Sequence, residues 1–202
     1  YWLLTPSILK IIEMKKIILS FFMCFALASF GQGFLHRSGQ NIVDGNKKNF
    51  VLRGLGLGGW MVQEGYMIQT GAFAGPQYKI KQKITDLIGV ENTEEFYKTY
   101  KANGITKRDI DSLASWEFNS IRLPMHYNLY TPAIENEKDG QITWLDEGFT
   151  MTDDLLKWCA ENKIYLILDL HAAPGGQGKD AAISDYDESK PSLWESTANQ
   201  DK

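Results

Sequence analysis

The sequence is short of cysteine, histidine and positive charge. It holds 2 cysteines and 3 histidines in 202 residues, and none of them stand at the spacing of a structural zinc site. Lysine and arginine number 21 against 25 acidic residues, a formal net charge of −4. Without a basic excess there is little to neutralise phosphates, so nucleic acid is not an expected partner. The apolar run at residues 17–28 falls short of the ~20 residues that an ordinary membrane span requires. No internal repeat or low-complexity tract occurs. What the chain does have is a globular balance: 44% apolar residues, 12% aromatic and 6 tryptophans. A disordered chain would be poorer in apolar residues. The length suits one domain or part of a larger one.

The N-terminus reads as a targeting segment. Residues 1–13 precede the first methionine, Met14, and read as translated upstream sequence. Met14-Lys15-Lys16 is a positive start, followed by the apolar run and by the small residues Ala26, Ala28, Ser29 and Gly31. This is the layout of a secretory signal peptide over 14–31, cleaved after Ala28 or Gly31. Residues 32–202 are then the mature domain, expected to be secreted, periplasmic or on the cell surface, with no stable membrane span after cleavage. Cleavage leaves Cys159 as its one cysteine, on a helical face with Leu155 and Leu156, where a buried thiol is expected.

Beyond the signal, Asp44-Gly45-Asn46 is turn chemistry between Asn41-Ile42-Val43 and Phe50-Val51-Leu52, predicting a β-hairpin over 34–52. The second strand is expected to run on past Arg53 toward Gly59. Ile80, Ile84, Leu87 and Ile88 predict a helix over 77–88. Asn92-x-x-Glu95 resembles a capping box opening a second helix that Gly104 would end, and Thr106-x-x-Asp109 opens a third. Residues 120–124 read as a strand stopped by Pro124. A helix from about Thr143 to Asn162 would bury Phe149, Leu155, Leu156 and Cys159. Residues 165–170 read as a strand covered on both faces. Residues 192–195 begin another helix. Strands alternating with helices imply a parallel α/β architecture, whose chemistry gathers at the C-terminal ends of the strands.

Gly54-x-Gly56-x-x-Gly59 matches a dinucleotide fingerprint letter for letter. However, no helix pattern follows it, and Gly75 to Lys79 offer no acidic residue where a ribose would be held. These glycines read instead as a tight turn below a cleft. Arg122 lies inside an apolar strand, where an arginine needs a carboxylate partner. That partner is either Asp169, in a structural pair, or a catalytic carboxylate that the cation orients. Asp169 and His171 share one face of their strand. As two ligands, with His126 the one further candidate, they fall short of a metal site. His171 at the strand rim suits hydrogen bonding to a polar ligand or to loop carbonyls. Trp60, Tyr127 and Trp194 offer aromatic faces for sugar rings, or for core packing. Glu64 has no obvious partner and reads as an ordinary solvated carboxylate.

Four segments together resemble the family 5 glycoside hydrolases, in particular the exo-1,3-glucanase-like branch. They are Arg53-Gly-Leu-Gly-Leu-Gly-Gly-Trp60-Met-Val-Gln-Glu64, Asn119-Ser-Ile-Arg122-Leu-Pro124, Leu168-Asp-Leu-His171-Ala-Ala-Pro-Gly-Gly-Gln177 and Lys190-Pro-Ser-Leu-Trp194-Glu195. The resemblance implies the N-terminal part of a (β/α)8 barrel, about three βα units, preceded by a hairpin. It implies retaining hydrolysis of O-glycosidic bonds in β-glucans or β-linked oligosaccharides, with no cofactor and no metal. It gives Arg122 the role of orienting the nucleophile, His171 a place lining the reacting subsite, and Glu64 the binding of sugar hydroxyls. Trp60, His126 and Tyr127 fall among the candidate substrate-binding residues. His126 and the Gly178-Lys179-Asp180 loop depart from the fungal members. The acid/base and nucleophilic glutamates are expected beyond Lys202, since a complete barrel needs ~250 residues. The 202-residue chain alone is therefore expected to be inactive. The competing expectation is a non-catalytic carbohydrate-binding protein of the same fold.

Overall fold

The structure, a computed structural model, describes residues 33–138 and 141–202. Residues 1–13 and 14–31, read above as upstream sequence and as a signal peptide, and Cys24 lie outside the described residues. The chain divides into two compact units, one ending at Val51 and the other running Leu52–Lys202.

In the first unit, β1 (His36–Ser38) pairs antiparallel with β2 (Asn41–Val43). The hairpin therefore forms one strand earlier than expected. Asp44 does make its turn, its Oδ1 accepting the Asn46 and Lys48 N–H groups, each at 2.9 Å. Beyond that turn only the single bridge Val43–Asn49 forms. The turn side chain captures the local backbone donors without setting up a longer ladder.

The second unit is built on a three-stranded parallel sheet in the order β3 (Gly54–Gly56), β4 (Ser120–His126), β5 (Tyr165–Ala172). Between β3 and β4 lie α1 (Gln77–Ile88), α2 (Val90–Gly104) and α3 (Lys107–Ser115). Between β4 and β5 lies α4 (Asp146–Glu161). After β5 come two short helices, α5 (Ala181–Ser184) and α6 (Thr197–Asp201). The turn at residues 193–195, capped by Ser192 and Glu195, stays a single turn rather than growing into the expected helix.

Three local predictions are corrected by the structure. The helix read as starting at Asn92 begins at Val90 after Gly89, and the Asn92 amide donates back to the Ile88 carbonyl at 2.8 Å instead of capping. The strand read as stopping at Pro124 continues to His126. The Arg122 carbonyl accepts the Leu57 N–H, so the even-numbered peptide groups of β4 face β3. Pro124, two residues on, turns its missing N–H past the last residue of β3, where no ladder bond is lost. The third correction concerns β5 and α4. Leu168 and Leu170, read as covered, are 57% and 52% exposed, and Phe149 and Leu156 are also exposed.

These exposures follow from where the helices sit. Ile121 and Leu123 on the central strand are fully buried with Ile110, Leu113, Leu155 and Cys159. Leu166 of β5 joins this core at its edge. Leu168 and Leu170 follow Leu166 on the same face by alternation, but no described helix lies over them. Burial holds the Cys159 thiol pKa up at about 11.

Both helix-to-strand turns use one device. After α3, Glu117 N–H reaches the Ala114 carbonyl and Phe118 N–H the Leu113 carbonyl. After α4, Lys163 reaches Ala160 and Ile164 reaches Cys159. Glu117 and Lys163 take left-handed backbone, φ 65° and 57°. This is the Schellman motif with its apolar clasp, Phe118 on Leu113 and Ile164 on Cys159. It turns each chain into the sheet.

The Thr106–Asp109 capping box forms as read. Asp109 Oδ2 accepts the Thr106 N–H at 2.8 Å and its hydroxyl at 2.7 Å. These bonds hold the Asp109 pKa below its usual range. A lowered carboxylate pKa adds stability that is present above the unfolded pKa and lost as pH falls through the folded one. Asp109→Asn is therefore expected to lower the urea midpoint at neutral pH. The gap from the parent should close as pH drops below about 4. Parallel urea curves between pH 6 and pH 2 check this, and a gap independent of pH would contradict it.

Candidate active site

The residues singled out in the sequence meet at the C-terminal ends of β4 and β5. Parallel register sets Gly56 beside Arg122 and Arg122 beside Ile167, and sets Pro124 beside Asp169. Arg122 and Asp169 therefore stand one alternation apart on a shared face. On β3 that face carries only glycine. A Cβ at Gly54 would come within 2.6 Å of Ser120 Oγ and 3.2 Å of the Ser120 carbonyl oxygen, so glycine eases the close strand approach there. Gly56 likewise leaves the space beside Arg122 open.

Arg122 Nη2 donates to Asp169 Oδ2 in an ion pair. His171 Nδ1 lies 3.0 Å from both the guanidinium and Asp169 Oδ2. At the other end of the ring, Nε2 lies 3.2 Å from Glu64 Oε1. A carboxylate only accepts, so Nε2 carries a proton donated to Glu64. The order of contacts is Arg122, Asp169, His171, Glu64, with Tyr66 Oη completing it at 3.5 Å from Glu64 Oε2.

Glu64 is only 4% exposed, which corrects the reading of a solvated carboxylate. It is carried by a tight turn in which Met67 N–H bonds the Glu64 carbonyl and Gly65 N–H bonds the Gly75 carbonyl. A Cβ at Gly65 would lie 2.4 Å from the Ala74 carbonyl oxygen, so this turn closes only around glycine. Gln177 fixes the other side. Its amide donates to the His171 carbonyl at 2.6 Å and accepts the Ala173 N–H at 3.0 Å.

Other candidates lie elsewhere. Trp60 is buried in the core and donates its indole N–H to the Lys101 carbonyl at 2.8 Å. Its faces pack against protein, the second of the two roles its aromatic ring allowed. Trp194 is exposed, with its indole N–H on the Gln177 carbonyl. His126 is 2% exposed and spoken for on both nitrogens. Nδ1 accepts the Asn128 N–H at 3.1 Å, and Nε2 donates to Asp185 Oδ2 at 2.9 Å. Tyr127 packs its ring on His126, 5.0 Å between centroids. Asp185 was not foreseen. It sits in left-handed backbone at φ 51° and also accepts the Tyr78 N–H at 2.8 Å. No local pattern marks it, since its partners lie 59 and 107 residues away.

The polar groups gather at the C-terminal strand ends of a parallel sheet, which is where the active sites of (β/α)8 barrels lie. Known sequences agree. The profile of the family described as cellulase (glycosyl hydrolase family 5) matches residues 78–200, and the chain belongs to that family. A β-xylosidase of Phanerodontia chrysosporium is 35% identical over 169 residues, covering 84% of this chain and 34% of that protein. A probable glucan 1,3-β-glucosidase A of Aspergillus niger is 29% identical over 137 residues, 64% of this chain and 30% of that one. The fold resembles the crystal structure of rutinosidase from Aspergillus niger, with a TM-score of 0.52 at 21% identity over 68% of this chain and 37% of that structure. The chain spans about a third of the length of the curated relatives it matches. Its three strands with their helices form part of such a barrel.

Proposed function

We propose that this chain forms the sugar-orienting side of the active site of a secreted, retaining β-glycosidase acting on β-glucans or related β-linked oligosaccharides. The observation that carries this is the Arg122–Asp169–His171–Glu64 chain at the strand ends of a family 5 sheet. Each member has a role that its contacts support. Glu64, immobilised by its turn and by His171, has oxygen lone pairs for sugar hydroxyls. His171 is held on both ring nitrogens and fixes the spacing between the two carboxylates. Arg122 engages only Nη2 among the described residues, and a guanidinium has five donors. Its remaining donors are free to orient a further carboxylate.

Retention needs two carboxyl groups ~5–5.5 Å apart, one as acid/base and one as nucleophile. Asp169 is committed to Arg122 and His171, and Glu64 to His171. In this reading the reacting pair comes from strands other than β3, β4 and β5, and this cluster binds and orients. Secretion rests on the signal-like segment 14–31. Among the described residues no helix is long and apolar enough to cross a membrane.

The test pairs binding with turnover. The 202-residue chain is expected to bind methyl β-glucoside or a β-linked glucose disaccharide by calorimetry. It is expected to release no reducing sugar from laminarin and no phenol from an aryl β-glucoside. Loss of binding in Glu64→Ala would accompany the first result. Measurable turnover would overturn the placement of the reacting carboxylates, and absence of any saccharide binding would overturn the reading itself.

A further inference from the structure

His171 stands at an irregularity in the sheet. Up to Met125 and Leu170 the strands β4 and β5 advance together, but the next pair is His126 with Ala172. β5 therefore spends two residues where β4 spends one, and His171 is the extra one. A bulge leaves its extra residue without a ladder partner and re-aims its side chain. Such a kink persists where its surroundings hold it.

Two residues outside the cluster supply that hold. His126 is buried, with Nδ1 accepting the Asn128 N–H and Nε2 donating to Asp185 Oδ2. Both ring nitrogens are thus spent on the protein itself. Asp185 Oδ1 also accepts the Tyr78 N–H at 2.8 Å. One carboxylate therefore joins the end of β4, the loop after β5 and the first turn of α1. Asp185 reaches both partners from left-handed backbone, φ 51°, a conformation whose cost these bonds offset.

We infer that His126 and Asp185 form a positioning pair, holding the bulge so that the His171 imidazole meets Asp169 and Glu64 together. That His171 serves sugar binding rests on the functional reading above; where its ring is held is a separate matter that needs no sugar to measure.

The path from Asp185 to His171 is short. The Ser184 hydroxyl donates to the Gly178 carbonyl at 2.7 Å. Gln177, the residue before Gly178, takes the His171 carbonyl and the Ala173 N–H, the peptide groups that flank Ala172. Ala172 is fully buried and is gripped twice, by its pairing with His126 and by Gln177. Both grips lead back to Asp185. In plain register His171 itself would stand beside His126, displaced by up to one strand step, ~3.3 Å. Its ring bonds to Asp169 and Glu64, at 3.0 and 3.2 Å, would not survive that.

Nitrogen-15 NMR of His171 in the 202-residue chain tests this, because the ring signals of folded molecules report hydrogen bonding rather than stability. Asp185→Gly suits the left-handed backbone and removes both tethers. It is expected to lose the hydrogen-bonded Nε2–H signal of His171. His126→Gln, whose amide reaches the place of Nε2 and still donates to Asp185, should keep the signal. His126→Asn, whose amide reaches only the place of Nδ1, should lose it. Leu123→Ala, which weakens the core on the helix-facing side of β4, should keep it. An unmoved signal in Asp185→Gly, the same outcome in both His126 variants, or loss in Leu123→Ala would overturn the positioning pair. If Asp185→Gly does not fold, the two His126 variants decide. Calorimetry with methyl β-glucoside separates the pair from the functional reading. Sugar binding by the parent with His171 unmoved in Asp185→Gly removes the pair alone. No sugar binding by the parent with His171 released in Asp185→Gly removes the functional reading alone.

Discussion

Replacing Leu123 with alanine is expected to cost about 2–5 kcal/mol of unfolding free energy, the range for truncating a buried leucine. Leu123 is fully buried on the central strand among residues of α3 and α4, and those neighbours are held from several directions. They cannot all collapse into the space it leaves. The informative control is the same substitution on the next strand. Leu168 lies on the same helix-facing side by alternation, yet it is 57% exposed. Leu168→Ala should therefore cost less than about 1 kcal/mol, since little apolar surface leaves water there on folding. Urea unfolding of both variants against the parent reads the difference directly. Equal costs would mean that the helix layer does not end where the structure places its edge. Because a domain's whole stability is about 5–15 kcal/mol, the first variant should also shift the midpoint visibly.

Gly65→Ala is expected to damage the site from outside it. The added methyl would meet the Ala74 carbonyl oxygen at 2.4 Å and the Gly75 carbonyl oxygen at 2.7 Å. Both are backbone atoms of the same closed turn and cannot step aside like a flexible side chain. Relief requires the turn to open, and forced overpacking of this kind costs roughly 1–3 kcal/mol. Glu64 is the adjoining residue, and its carboxylate is the acceptor for His171 Nε2. Opening the turn should thus release the imidazole as well. Nitrogen-15 NMR of His171 is the check: the parent is expected to show a hydrogen-bonded Nε2–H, and the variant to lose that signature together with stability. Retention of the Nε2–H signal in a destabilised variant would show that Glu64 is positioned by something other than this turn.

The sequence carries local structure well where one short segment supplies both partners. The Thr106–Asp109 box is complete within four residues, and α1 runs over Gln77–Ile88 as its spacing predicted. The alternation of Asp169 with His171 likewise needs only strand geometry. It carries less where the answer depends on a neighbour. Pro124 reads as a stop, but β3 ends early enough that its missing N–H faces no partner. Asn92 reads as a cap, but Gly89 starts the helix before it. Glu117 and Lys163 show nothing of their left-handed turns, because the clasp that holds them lies in the core.

The same division runs through the site. Residue order alone determined that Arg122 would need a carboxylate and that the polar groups would gather past the strand ends. Both follow from the cost of an unpaired charge in an apolar strand and from the period of two. Only the tertiary structure decided which carboxylate Arg122 takes, that Glu64 lies buried against His171, that Trp60 belongs to the core, and that Asp185 ties the loop after β5 to His126 and Tyr78. Those contacts join segments separated by 41 to 107 residues. Their geometry depends on the register of β3, β4 and β5, which is set by packing against α3 and α4 rather than by any motif in the chain.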